Sequence, residues 1–275
     1  MSKPTTKSQS FRHFAKSAYI WLAAFGIHPL SLRYAFQGLF VATREYFALK
    51  RQNRAAGSPY RIHFSMPCLA DRYEPSGSAG GHYFFQDLLV ARRIFERKPV
   101  RHVDVGSRID GFVAHVAAFR EIEVFDIRPL PVSIPSVIFR QNDLMHPQEA
   151  FTNYCDSLSS LHAIEHFGLG RYGDPVDLFG HIKGFNGLVD ILKAGGTLYL
   201  SVPIGPECVN FNACRVISVA SILKLAENRL VLVDFSYIDD AGSLHQNVKL
   251  SAELIANSCG CHYGCGIFEF QKMTA

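Results

Sequence analysis

What this 275-residue chain lacks sets its outer bounds. It has no block of clustered Lys or Arg and no interleaving of basic with aromatic residues, which argues against a nucleic-acid partner, and its formal net charge is only +4. The apolar run Ala18 to Ile27 is too short to cross a bilayer, and His28-Pro29 interrupts it. It follows Arg12 and Lys16 as a signal-peptide core would, but no small-x-small cleavage site comes after it, so we expect an amphipathic or buried helix. The seven cysteines (68, 155, 208, 214, 259, 261 and 265) are odd in number and scattered, unlike a secreted disulfide framework, and suit reduced thiols in a cytoplasmic protein. Internal repeats and low-complexity tracts are missing, and 48% hydrophobic with 19% charged residues leaves little room for long disorder.

What is there divides into three stretches. The basic excess lies in the N-terminal third, at Arg12, Lys16, Arg33, Arg44, Lys50, Arg51 and Arg54. That suits an anionic membrane surface touched peripherally, an acidic partner, or an ordinary solvated face. Residues 1–10 are polar and expected to be loose. From Phe11 to about Arg54, large residues recur at helical spacing (Phe14, Ala18, Trp21, Phe25, then Leu32, Phe36, Leu39, Phe40, Phe47), and Pro29 splits them into two helices. Residues 57–81 are rich in Gly, Pro and Ser and read as loop, with Asp71, Arg72 and Tyr73 as lid candidates. A helix over 83–97 follows, with Phe84, Leu88, Ala91, Ile94 and Phe95 on its apolar face. The chain thus reads as a helical extension (1–60), a loop and helix leading into the core (61–98), and a main domain (99–275).

After Pro99 the period changes. Short apolar runs near 100–105, 121–126, 136–140, 155–161 and 196–202 alternate with helical patterns near 111–119 and 176–193. This predicts an α/β, Rossmann-like fold with a mostly parallel, seven-stranded sheet covered by helices on both faces. Lys193 to Thr197 stops a helix and leads into strand 198–202, closed by Pro203. A further helix near 212–227 precedes strand 229–237, and 266–270 suits a last strand pairing antiparallel with it.

The chemistry gathers at strand ends. His102-Val103-Asp104-Val105-Gly106 ends in Asp-x-Gly and opens through Ser107, Arg108, Asp110 and Gly111 into a helical pattern, which is how a nucleotide-type cofactor is seated. Twenty positions after Gly106, a second apolar run ends in Asp126, placed to accept hydrogen bonds from ribose hydroxyls.

Together with Asn142-Asp143, Asp156 to His166, and Leu192-x-Ala194-Gly195-Gly196-x-Leu198, these residues resemble the class I S-adenosylmethionine-dependent methyltransferase superfamily. More narrowly, Tyr83 to Leu88, Asp104 to Phe112, Asp126 to Pro129, Ser157 to Pro175, Ser201 to Gly205 and Tyr263 to Glu269 are similar to the DUF268 family over about residues 67–272. The resemblance implies a methyltransferase-like domain over 99–275 that takes S-adenosylmethionine. It implies that Asp104, Gly106, Ser107, Arg108, Asp110, Gly111, Asp126, Ile127, Asp143 and Leu144 hold the cofactor, and that Asn142-Asp143 is the polar pair near adenine. The family's association with surface-polysaccharide genes hints at a glycan acceptor. One departure stands out: Arg108 and Asp110 occupy positions where the superfamily has glycine.

Methyl transfer asks a protein to align the acceptor and, for a hydroxyl, to take its proton. His162, Glu165 or His166 suits that base. If 162–166 were one helical turn, the two histidines would share a face, but no third metal ligand is evident and no metal is expected. Arg171, Tyr172, Asp174, Asn210 and Arg215 are candidates to bind the acceptor. Cys259-x-Cys261-His262-x-x-Cys265 is not a standard zinc knuckle and is expected to be buried thiols beside a terminal strand. No nucleophile elbow supports serine hydrolysis. The leading expectation is a methyltransferase acting on a small oxygen or nitrogen acceptor. The alternatives are a catalytically silent scaffold in polysaccharide assembly and a nicotinamide-dependent oxidoreductase. The sequence does not specify an oligomeric state.

Overall fold

The computed structural model describes residues 17–58, 60–74, 77, 79–146 and 148–274. The expectations for Phe11, Arg12, Phe14, Lys16 and the polar residues 1–10 lie outside the described residues. Two compact units divide the chain, Met1–Ser78 and Ala79–Ala275.

In the first unit, residues 17–24 are helical and α1 spans Pro29–Ala55, with Pro29 in its first turn, where a missing N–H goes unnoticed. The only buried residue of α1 is Gly38: the Leu69 carbonyl lies where a Cβ would stand. A short 3-10 turn, Asp71–Tyr73, returns to the helix, stacking Tyr73 on Tyr34 (centroids 5.2 Å apart) and pairing Arg72 with Glu45 (2.7 and 2.9 Å). No helix among the described residues is long and apolar enough to cross a membrane.

The second unit opens with α2 (Gly81–Arg97), then β1 (His102–Val105), β2 (Ile122–Asp126), β3 (Val137–Gln141), β4 (Cys155–Leu161), α4 (Gly180–Ile191), β5 (Leu192–Ile204), β8 (Leu230–Ile238), β9 (Leu244–His245) and β10 (Gly264–Lys272). A π-turn, Ile109–Val113, and α3, Ala114–Ala117, follow β1. The main sheet is ordered β3-β2-β1-β4-β5-β10-β8-β9. Strands β1 to β5 pair in parallel; β10 enters antiparallel between β5 and β8. The α/β, Rossmann-like reading holds, with one addition: the two-residue β9 makes the sheet eight-stranded.

Alternation along the strands builds a core on each face. Val103, Val105, Leu158, Leu198 and Leu200 pack toward Phe185, Leu188 and Ile222 of the helices on one side. Ile122, Val124, Tyr199 and Ile267 pack toward Val90, Ala91, Ile94, Phe112 and Val116 on the other.

Two local expectations are corrected. The buried face of α2 is Gln86, Asp87, Val90, Ala91 and Ile94, so Phe84, Leu88 and Phe95 are exposed. The helix expected over 212–227 is a hairpin, β6 (Cys208–Asn210) with β7 (Cys214–Val216), followed by the shorter α5, Val219–Ala226. Ser218 caps α5 by accepting from the Ser221 N–H, which fixes the later start.

Candidate functional site

The carboxyl ends of β1, β2, β3 and β4 surround a cleft, the place where open α/β sheets bind ligands. Gly106 turns at its floor with φ of +72° and donates its N–H to the Phe125 carbonyl (2.9 Å). A Cβ there would stand 3.0 Å from that of Ala163, so only glycine lets the β1 and β4 loops come this close. Asp126, Ile127, Asp143, Leu144, His166, Tyr172 and Asp174 join Gly106 in the wall.

The cleft holds one uncommitted polar side chain. Asn142 is buried, and neither its Oδ1 nor its Nδ2 has a hydrogen-bond partner among the described residues. Leaving both unmade is costly, and one amide offering a donor beside an acceptor complements a base edge such as that of adenine. Its neighbour Asp143 is committed to its own turn, accepting from the Met145 N–H (2.9 Å) and pairing with His146 (2.9 Å).

Asp126 is also occupied. Arg128 donates to both of its oxygens (3.0 and 2.6 Å) and adds its backbone N–H (2.8 Å), with the guanidinium 4.3 Å from the centroid of the Tyr172 ring. Sequence reasoning missed Arg128, although the i, i+2 spacing from an acid could have signalled it. The pair stands between the cleft and a second recess lined by Ser107, Arg108, Asp110, Leu130 and Phe139. Within that recess Arg108 and Asp110 neutralise each other (3.1 and 2.8 Å).

The remaining loop residues face inward. Asp104 is fully buried, accepting from the Ser107 N–H (3.0 Å), Ser107 Oγ (2.6 Å) and Ser159 Oγ (2.5 Å). His102 extends this relay to Ser157 and Ser159 (2.8 and 3.2 Å). Burial pushes Asp104 up to about 7 despite those donors, and drives His102 down to about 3. Gly111 lies against the Asp87 carboxylate, away from the cleft.

His162 and His166 do not share a helical face. Ile164–His166 is a 3-10 turn, and His162 precedes it with φ of +51°, so the two rings diverge. His166 reaches the cleft, with Nδ1 2.6 Å from the Ala213 carbonyl and its ring against Tyr172; burial lowers its pKa, which favours the neutral ring. His162 turns toward α2 and β10. Burial opposes charging it, yet Cys265 and Glu165 outweigh burial and hold its pKa well above the usual value. Glu165 lies between the rings, its Oε1 2.7 Å from His162 Nδ1 and 3.6 Å from His166 Nε2.

Of the acceptor candidates, Tyr172 and Asp174 reach the cleft. Asp174 also knots its own loop by accepting from the Gly168, Gly170 and Tyr172 N–H groups (2.7, 3.3 and 3.1 Å). Arg171 donates to the Ala213 carbonyl (2.9 Å). Arg215 is buried and gives its guanidinium to the carbonyls of Glu165, Phe167, Asp177 and Leu178, bracing the loop from outside the cleft. Asn210 is exposed on β6, also outside it. The Cys259–Cys265 cluster is dispersed: His262 is exposed, and burial lifts the Cys259 and Cys261 thiols to about 11 and 12.

No curated protein matches the chain. Among solved structures, the [4+2]-cyclase SpnF superposes with a TM-score of 0.50 at 15% identity, over 86% of this chain and 96% of its own. The N-methyltransferase NodS from Bradyrhizobium japonicum WM9, in complex with S-adenosyl-L-homocysteine, gives 0.45 at 12% identity over 69% and 87%. A putative sarcosine dimethylglycine methyltransferase from Galdieria sulphuraria gives 0.47 at 16% identity over 69% and 86%. A family model described as a Caenorhabditis protein of unknown function, DUF268, matches residues 133–258, the part of the chain that runs from β3 through β5 and β8. The chain thus matches the DUF268 family over residues 133–258 and is built on a Rossmann-like fold of the methyltransferase type.

Proposed function

We propose that the cleft binds S-adenosylmethionine and that the protein transfers a methyl group to a small oxygen or nitrogen acceptor, a hydroxyl on a glycan or glycan precursor being the leading candidate. The observation that carries this reading is the orphaned Asn142 amide in the wall, at the strand-end position where an adenine would meet it. Gly106 would give the cofactor close backbone approach, Asp126 its ribose contact, and Ile127 and Leu144 its apolar bed. The cofactor supplies an electrophilic sulfonium methyl, so little covalent chemistry is left to the protein. His166 would take the acceptor's proton: donation from Nδ1–H to Ala213 leaves the Nε2 lone pair free, and the lowered pKa keeps it unprotonated near pH 7. Tyr172 and Asp174 would position the acceptor.

A second reading is a cofactor-free binding module. The Asp126–Arg128 and Arg108–Asp110 pairs favour it, because each engages side chains that a cofactor would need. SpnF is named for a cyclisation on this same fold, a reminder that fold does not fix reaction.

Calorimetric titration with S-adenosylhomocysteine, with NAD as comparison, separates these readings. We expect micromolar binding to the wild type, none to Asp126→Ala and about tenfold weaker binding to Asn142→Ala, roughly 1.4 kcal/mol. No binding by well-folded wild type would remove the methyltransferase reading and leave the binding module.

We also propose that the N-terminal unit contacts an anionic lipid surface. Leu32, Phe36, Phe40 and Phe47 are exposed along α1 beside Arg33, Arg44 and Arg51, and its single acid, Glu45, is paired with Arg72.

A further inference from the structure

Three side chains far apart in sequence converge on the opposite side of Glu165 from the cleft. His82 comes from the first turn of α2, His162 from the loop after β4, and Cys265 from the second position of β10. One donor atom from each lies within 4.8 Å of the other two. We propose that His82, His162 and Cys265 form a binding site for a thiophilic divalent ion of the zinc class.

The donor set suits that ion: two imidazoles and a thiolate, with a fourth position left for water, is a known zinc arrangement. The orientation of His162 supports the assignment independently. Its Nδ1 is held by Glu165 Oε1 at 2.7 Å, and its Nε2, in a side chain only 4% exposed, is buried without a hydrogen-bond partner among the described residues. A carboxylate that grips one imidazole nitrogen and leaves the other bare is how metal-binding histidines are aimed. The backbone contributes too: the positive φ of His162 is secured by its N–H, which donates to the Ser201 carbonyl (3.0 Å) and to Ser201 Oγ (3.2 Å).

Geometry sets what binding must change. Zinc–nitrogen and zinc–sulfur bonds imply tetrahedral edges of about 3.3–3.6 Å, so the three side chains would draw in by about 1 Å. The His82 and His162 rings are 3° from parallel with centroids 5.1 Å apart. Half-buried His82 also stacks on Tyr263 (centroids 5.6 Å apart), so its approach to the ion would turn it against that ring. Cys265 donates its S–H toward Gln86 Oε1 (3.6 Å); on binding, that proton and the Nε2 proton that the raised pKa of His162 retains both leave to solvent, the thiolate lone pair goes to the ion, and each imidazole contributes one nitrogen lone pair. No oxidation or reduction is involved. The bound ion would tie the start of α2 to the sheet at β4 and β10. Sequence spacings of 80 and 103 residues hid this trio, whereas the compact Cys259–Cys265 string drew attention to the wrong cysteines.

The test uses the full chain, stripped with chelator and titrated with Zn²⁺ or Co²⁺. We expect one ion per chain by elemental mass spectrometry, thiolate-to-cobalt charge-transfer absorption in the near ultraviolet, and a melting temperature that rises with zinc concentration. Cys265→Ser should abolish the charge-transfer band. His82→Gln, at a half-buried position where folding is not at risk, should weaken binding at least tenfold. Glu165→Gln should weaken it about 10–100-fold by loosening His162. Absence of stoichiometric metal in the folded wild type, or a band and affinity that survive both Cys265→Ser and His82→Gln, would overturn the assignment. None of these readouts involves S-adenosylhomocysteine, so this site and the cleft stand or fall separately.

Discussion

At the scale of single residues, the buried relay Ser157–His102–Ser159–Asp104–Ser107 makes a claim about protons. His102 has a folded pKa of about 3 against 6.5, so its contribution to stability is present above pH 6.5 and is lost on acidification toward 3. Asp104 has a folded pKa of about 7 against 3.8, so its contribution is present below 3.8 and is lost as pH rises through 7. Between about pH 4 and 6.5 the two slopes oppose each other. Asp104→Asn should therefore uncover a stability that falls from pH 6.5 to 4, and His102→Gln one that falls from pH 4 to 7. Urea midpoints across that range check both, and the same sign of slope in the two variants would refute the assignment. The Asp-x-Gly string was readable from sequence, but the direction of its acid was not. An acid before a glycine turn looks the same whether it faces ligand or core, and here the hydroxyls of Ser107 and Ser159 decide.

At the scale of elements, α2 shows where periodicity misleads. Its phenylalanines and Leu88 form a convincing apolar stripe, yet the buried side carries Gln86 and Asp87. Ser201 Oγ donates to Gln86 Oε1 (2.6 Å), and Asp87 packs under Gly111, so polar contacts set the rotation of the helix. Arg93 adds its own anchors, to Asp234 (2.5 Å) and Glu269 (3.1 Å) across β8 and β10. Ile94→Ala should cost about 2–5 kcal/mol in urea unfolding, whereas Leu88→Ala should stay within about 1 kcal/mol. Equal losses would restore the stripe as the packed face. The hairpin at 208–216 escaped notice for a related reason: its six paired residues carry no turn signature, and the real helix start, Ser218, lies beyond it.

At the scale of the whole molecule, the parallel half of the sheet was legible because each strand ends in a residue of distinct type: Gly106 after β1, Asp126 closing β2, and His162 after β4. The cleft they surround was legible with it. Arg128 and the His82–His162–Cys265 trio were not, since they depend on how loops and distant elements meet. The first unit offers its own reporter. Trp21 is the chain's single tryptophan and is 69% exposed, so its emission should shift to the blue with phosphatidylglycerol-containing vesicles and stay unchanged with pure phosphatidylcholine. High salt should reverse the shift, and indifference to both vesicles would leave the exposed aromatics without a lipid role.

The Asp126–Arg128 pair has a consequence for rates. If a nucleoside is to use Asp126, its arrival is an exchange of partners: the guanidinium must leave before the hydroxyls can settle. Association should then be slower than diffusional encounter allows and should quicken, within limits, as ionic strength loosens the half-exposed arginine. Arg128→Ala would remove that dependence in stopped-flow mixing, leaving a site that fills faster and at a pace indifferent to salt.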